Sequence, residues 1–137
     1  MNQRGFATLE VILMVMVIGI LASIAVPRFT DITTKANTAK IQADLSTLDS
    51  AISIYYMENG SYPTALSQLS DYVRGVEGTK PELKPPTGSA YIEGESKEIP
   101  SGGYVLKQVS GTADTTGVAE IRAYVGNYTS EKFYKNQ

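Results

Sequence analysis

The segment FATLEVILMVMVIGILASIAV, Phe6–Val26, constrains the fold more than any other part of the chain. It holds 21 residues, and between Val11 and Val26 there is no charge at all. As an α-helix it reaches ~30 Å, the thickness of a bilayer's hydrocarbon core. It is apolar on every face, and a soluble helix of that kind needs a large protein around it. The 137-residue chain leaves too little for that. Length and composition therefore point to a membrane span. Glu10 is the anomaly, because a charged side chain at a bilayer centre costs roughly 3 kcal/mol on insertion scales. A segment built only to sit in lipid has no use for it.

Two membrane-related readings leave Glu10 unexplained. A cleaved secretory signal would use Arg4 as its basic region and Ser23-Ile24-Ala25 as a small-x-small cleavage site. The mature chain would then begin Val26-Pro27, and Glu10 would be discarded. A plain signal-anchor accounts for the span alone. Its orientation is not set by charge, since Arg4 and the α-amine lie on one side and Arg28, Lys35 and Lys40 on the other.

The stretch RGFATLEVILMVMVIGILASIAVP, Arg4–Pro27, resembles the class III signal of prepilins in the type IV pilin and pseudopilin family. That signal has a short basic leader ending in Gly, then Phe, then Glu as the fifth residue after the cut, then an apolar run. The resemblance implies cleavage after Gly5, with Phe6 as the new, N-methylated N-terminus. It implies a prepilin peptidase and methyltransferase, a platform protein and an assembly ATPase as partners, and lipid as the environment before assembly. The subunit would cross the inner membrane once, with its C-terminal domain outside the cytoplasm. It would then enter an extracellular or periplasmic filament made of copies of itself and related pilins.

The chemistry of Glu10 agrees. Cleavage would leave a positive α-amine on Phe6, and a buried carboxylate is tolerable only when paired. Pairing Glu10 with the Phe6 amine of a neighbouring subunit fixes axial register, because a slip strands both charges in apolar surroundings. The competing reading is a Glu10 near the membrane interface that reaches water at little cost. Gly19 and Ser23 form a small-xxx-small pair that permits close helix approach. Pro27 removes a backbone donor and predicts a kink or a locally melted stretch around Ser23–Pro27.

Beyond Pro27 the pattern turns amphipathic. Ile41, Leu45, Leu48, Ile52 and Tyr55 recur at spacings of 4, 3, 4 and 3, one apolar stripe that must lie on something. Lys40, Gln42, Asp44, Asp49 and Ser50 fall on the other faces. Asn59-Gly60 supplies a helix stop, so one helix runs from about Phe6 to Glu58. Thr64 is placed to cap a short helix carrying Leu66, Leu69, Tyr72 and Val73. A Gly/Pro-rich connector covers 74–90. Strand candidates follow at Tyr91–Glu93, Tyr104–Val109 and Val118–Val125, with SGTADTTG as a hairpin loop. The tail NYTSEKFYKNQ is either an edge strand or loose.

The expected fold class is α+β, a pilin-like lollipop. A long N-terminal α-helix, its first half the membrane span or filament core, packs on a small antiparallel sheet. The expected divisions are 1–5 leader, 6–27 hydrophobic helix, 28–59 amphipathic helix, 60–90 αβ-loop with a short helix, and 91–137 sheet and tail.

Composition removes whole classes of chemistry. With no Cys and no His, thiol nucleophiles, zinc fingers and histidine acid–base catalysis are excluded. No nucleophile, base or metal constellation is present, so the chain reads as no enzyme, with no cofactor. Asp114, flanked by Thr112, Thr115 and Thr116, is a weak calcium candidate, since calcium takes 6–8 oxygens and usually several carboxylates. Glu93, Glu95 and Glu98 read as a solvated loop. Asn59 and Asn127 head glycosylation sequons. Lys97, Lys107, Arg122, Lys132 and Lys135 lie near Tyr residues in sequence. They are scattered among as many acids, which argues for solvated surface over a nucleic-acid partner.

The first functional reading is a prepilin polymerised into a type IV pilus-like surface filament. The alternative is a pseudopilin of a type II secretion or competence (DNA-uptake) machine, towards which the missing Cys leans. The distant alternative is a non-polymerising membrane-anchored binding domain.

Overall fold

The computed structural model describes residues 3–76, 82–113 and 119–136. The chain divides into two compact units, Met1–Thr33 and Thr34–Gln137. One helix, α1, runs over Gln3–Asn59 and contributes to both.

In the first unit the described side chains of the apolar run of α1 are exposed. Val11, Met14, Val17, Ile18 and Leu21 are all more than half exposed. An apolar surface of this kind is stable only in lipid or against other protein. Three hydroxyl side chains of this stretch bond back onto the helix itself. Thr8 donates to the Arg4 carbonyl (2.9 Å), Ser23 to that of Ile20 (2.7 Å) and Thr30 to that of Val26 (3.1 Å). A hydroxyl folded back onto its own helix costs little in lipid. The backbone stays helical through Ser23–Pro27, so the locally melted alternative is not adopted there.

The second unit is built on the apolar stripe. Ile41, Leu45 and Leu48 are wholly buried, Ile52 nearly so and Tyr55 half-buried. Thr34 and Thr38 extend the buried face towards the N-terminus. The helix ends as its sequence requires: Gly60 takes φ +70 and its N–H donates to the Tyr56 carbonyl (2.9 Å).

Two antiparallel hairpins pack on this face, where a single sheet was expected. β1 (Ser89–Ile92) pairs with β2 (Glu95–Glu98), and β3 (Tyr104–Ala113) with β4 (Ala119–Val125). β2, with the polar sequence ESKE, carries no apolar alternation by which sequence could find it. The hairpin turn falls on Glu93 (φ +54) and Gly94 (φ +86), so Glu93 belongs to a turn and not to a strand. β3 runs on through Ala113, well into the stretch expected to be loop, with a break in register between Gln108 and Ala113.

Two further expectations are corrected. The short helix is one 3₁₀ turn, Leu66–Leu69, with Ala65 at the cap position. Gln68 Oε1 accepts from the Thr64 and Ala65 N–H groups (2.7 and 3.2 Å), so the glutamine amide does the work expected of Thr64. The tail is neither loose nor a regular strand. Ser130–Lys132 makes a 3₁₀ turn that delivers Phe133 into the core, 1% exposed. Glu93 N–H then donates to the Lys132 carbonyl (2.7 Å) and Gly94 N–H to the Tyr134 carbonyl (3.0 Å).

Candidate assembly site

Gly5, Phe6 and Glu10, the residues expected to carry the N-terminal signal, lie within the first turns of α1. Phe6 and Glu10 are four residues apart, hence on one helical face, and both are exposed. Gly5 is also exposed, and a Cβ built on it would meet nothing within 4 Å. Among the described residues nothing therefore asks for glycine at position 5, nor at position 19, where the same holds. A glycine that the fold does not need is suited to close approach by another molecule. Pro27 lies well beyond this group on α1. Asp114 lies outside the described residues. Among the described residues no group of three or more carboxylates is placed to hold a metal ion.

The second unit presents its site machinery differently, as polar docking points along α1. Asn37 Nδ2 donates to the Thr87 (3.3 Å) and Ser89 (3.0 Å) carbonyls, and Thr38 Oγ1 accepts from the Tyr91 N–H (2.8 Å), which fixes β1. Asp44 accepts from the Tyr104 hydroxyl (2.6 Å) and fixes β3. Burial and the Asp44 carboxylate both push the Tyr104 hydroxyl well above its ordinary value of 10. Asp49 Oδ1 accepts from the Ala123 N–H (2.9 Å), and Oδ2 from Arg122 (2.9 Å), which fixes β4. Arg122 also pairs with Glu131 (2.7 Å) in the tail turn.

Asp44 and Asp49 are expected from the sequence on faces other than the apolar stripe. Each is next to a stripe residue, Leu45 and Leu48 respectively, and so borders the buried face. That adjacency was the available signal. The five scattered cations all have partners in the chain. Lys97 lies near Glu93 (3.7 Å) and Glu95 (3.6 Å), and Lys132 pairs with Glu93 (3.1 Å). Lys107 bonds Asn127 Oδ1 (2.9 Å), and Lys135 lies over the Tyr91 ring (5.0 Å). The Lys132 ammonium holds the Glu93 carboxyl below the usual carboxylate range. Of the two sequon asparagines, Asn59 donates to the Tyr55 carbonyl (3.0 Å), and both are exposed.

No family model matches the chain, and no solved structure matches it. Curated proteins do. The type II secretion system core protein G of Klebsiella michiganensis is 33% identical over 106 residues, 77% of this chain and 65% of the relative. Its Escherichia coli counterpart is 33% identical over 100 residues, 73% of this chain and 66% of the relative. The type IV narrow pilus major component of Thermus thermophilus is 39% identical over 64 residues, 47% of this chain and 55% of the relative. The chain thus spans no more than 66% of the length of these relatives. The long apolar-to-amphipathic helix, its small antiparallel sheets and these relatives lead to one assignment: the chain belongs to the family of type IV pilins and type II secretion pseudopilins.

Proposed function

We propose that this chain is a prepilin, processed and then polymerised as a structural subunit of a type IV pilus-like filament. One observation carries the reading. The N-terminal run of α1 is long and apolar enough to cross a membrane, is wholly exposed in the monomer, and yet bears Glu10 one turn after Phe6. Lipid satisfies the apolar side chains but not the carboxylate. A bundle of such helices satisfies both, provided each Glu10 meets a cation. Cleavage after Gly5 creates that cation at the Phe6 amine. Glu10 of one subunit then reads the Phe6 amine of its neighbour and sets the register. Before assembly the subunit is held in the inner membrane by this helix, with the second unit outside the cytoplasm. A prepilin peptidase and methyltransferase, a membrane platform protein and an assembly ATPase are the partners this route requires. Pro27 lies where a kink lets the helix adjust between lipid and filament.

Within the family, the pseudopilin reading is supported by the core protein G relatives, which align over more of this chain than the narrow-pilus component does. In that reading the filament is a short periplasmic one.

Intact mass and N-terminal sequencing of the membrane-extracted chain test the proposal. The expected product begins at N-methylated Phe6. A chain beginning at Val26, or an uncut Met1 in cells that make the filament, refutes it.

A further inference from the structure

Beyond the apolar run, α1 leaves two pairs of large apolar side chains exposed. Phe29 (68%) and Ile32 (60%) lie just past Pro27, next to Arg28, while Ile54 (45%) and Met57 (82%) lie in its last turns. Phe29 and Ile32 are three residues apart and share a face. Met57 borders a groove of about 540 Å³ between the end of α1 and β4. Ile52, Tyr56, Tyr62 and Ile121 give it an apolar lining, with the two tyrosine rings stacked at 4.4 Å. Its rim holds three carboxylates, Asp49, Glu120 and Glu131, against one cation, Arg122. Arg122 already serves Asp49 and Glu131. The groove therefore keeps a net negative rim around an apolar, aromatic floor.

We propose that the Arg28–Phe29–Ile32 face of one copy seats in the Tyr56–Tyr62 groove of a second copy, with Arg28 meeting the rim at Glu120. The occupant is argued from charge and from stoichiometry. The face is apolar with an adjacent cation, and the groove is apolar with acidic edges, so each supplies what the other lacks. The chain carries both halves. They are different surfaces, so the contact is heterologous. It leaves one free face and one free groove on every pair, and an arrangement of that kind propagates as an open helical polymer if it does not close into a ring. This inference rests on the filament reading above and adds to it a contact outside the helix core.

The absence of cysteine makes the test direct. The full chain carrying Ile32→Cys and Met57→Cys is assembled by a host with its own machinery, and sheared filaments are oxidised with copper phenanthroline. A ladder of dimer, trimer and longer species is expected. Filaments co-assembled from the two single variants should contain dimers and no trimers. Filaments that yield only monomer overturn the contact and leave the filament reading standing. If the parent chain forms no filaments in that host although Phe6 is processed, both readings fall. Should the double variant not assemble, charge reversal decides. Glu120→Arg should cut filament yield about tenfold, and Arg28→Glu in the same chain should restore it. Normal assembly of Glu120→Arg, or no rescue, refutes the pairing.

Discussion

Asp49 is the side chain through which α1 holds β4, and its replacement tests the docking account quantitatively. Oδ1 accepts the Ala123 N–H at 2.9 Å and Oδ2 accepts Arg122 at 2.9 Å, with the Asp49 side chain 20% and the Arg122 side chain 23% exposed. Asp49→Ala removes a backbone hydrogen bond to a charged acceptor, about 1.5–3 kcal/mol. It also removes a partly exposed ion pair, ~0.5–1 kcal/mol, while Glu131 continues to hold the guanidinium. Alanine's better helix propensity returns up to ~0.7 kcal/mol. The net loss is about 2–3 kcal/mol, which in a domain of this size lowers the melting temperature by ~10–15 °C. Asp49→Asn keeps an oxygen for Ala123 and gives up the charge, so its loss should be about half as large. Thermal unfolding of the full chain in detergent, followed by tyrosine near-ultraviolet circular dichroism, measures both variants. If Asp49→Ala shifts the transition by less than about 3 °C, β4 is not held through this residue. If Asn is as damaging as Ala, the charge matters and the Ala123 bond does not.

Three other outcomes are expected. Glu10→Val should leave membrane insertion intact and abolish filaments or scramble their register. Normal filaments, seen by electron microscopy, would remove the register argument. Phe133→Ala should cost about 3–5 kcal/mol, because a wholly buried ring leaves a cavity. A loss under 1 kcal/mol in the same melting assay would mean that the tail is not part of the core. Lys132 holds Glu93 below its ordinary value of 4.5, so the ion pair that pins the tail is complete above that pH and is lost as pH falls through the lowered value. Protection of the Gly94 and Phe133 amides, taken against the intrinsic exchange rate at each pH, should therefore fall on acidification below about pH 4.5, and Glu93→Gln should show the lower protection already at neutral pH. An unchanged acid response in Glu93→Gln would place the switch elsewhere.

The N-terminal half of this protein was legible because its constraints are local. The apolar length of Phe6–Val26, the position of Glu10 and the Asn59-Gly60 stop depend on residues close in sequence. The stripe from Ile41 to Tyr55 was legible for the same reason: helical periodicity alone says which face is buried. So were β3 and β4, whose apolar alternation marks their inner faces.

Tertiary structure decided what lies against that stripe. β2 is polar and becomes a strand only because β1 and a two-residue turn hold it in place. The tail is ordered because Phe133 finds space in the core and the Glu93–Gly94 turn offers two N–H donors to it. Asp44 and Asp49 look like any charges on the flank of an amphipathic helix. Their roles come from Tyr104, Arg122 and Ala123, which arrive from sixty or more positions away in sequence. A periodic pattern fixes the faces of an element. Which partner meets each polar group at the edge of a face depends on chain geometry over the whole domain.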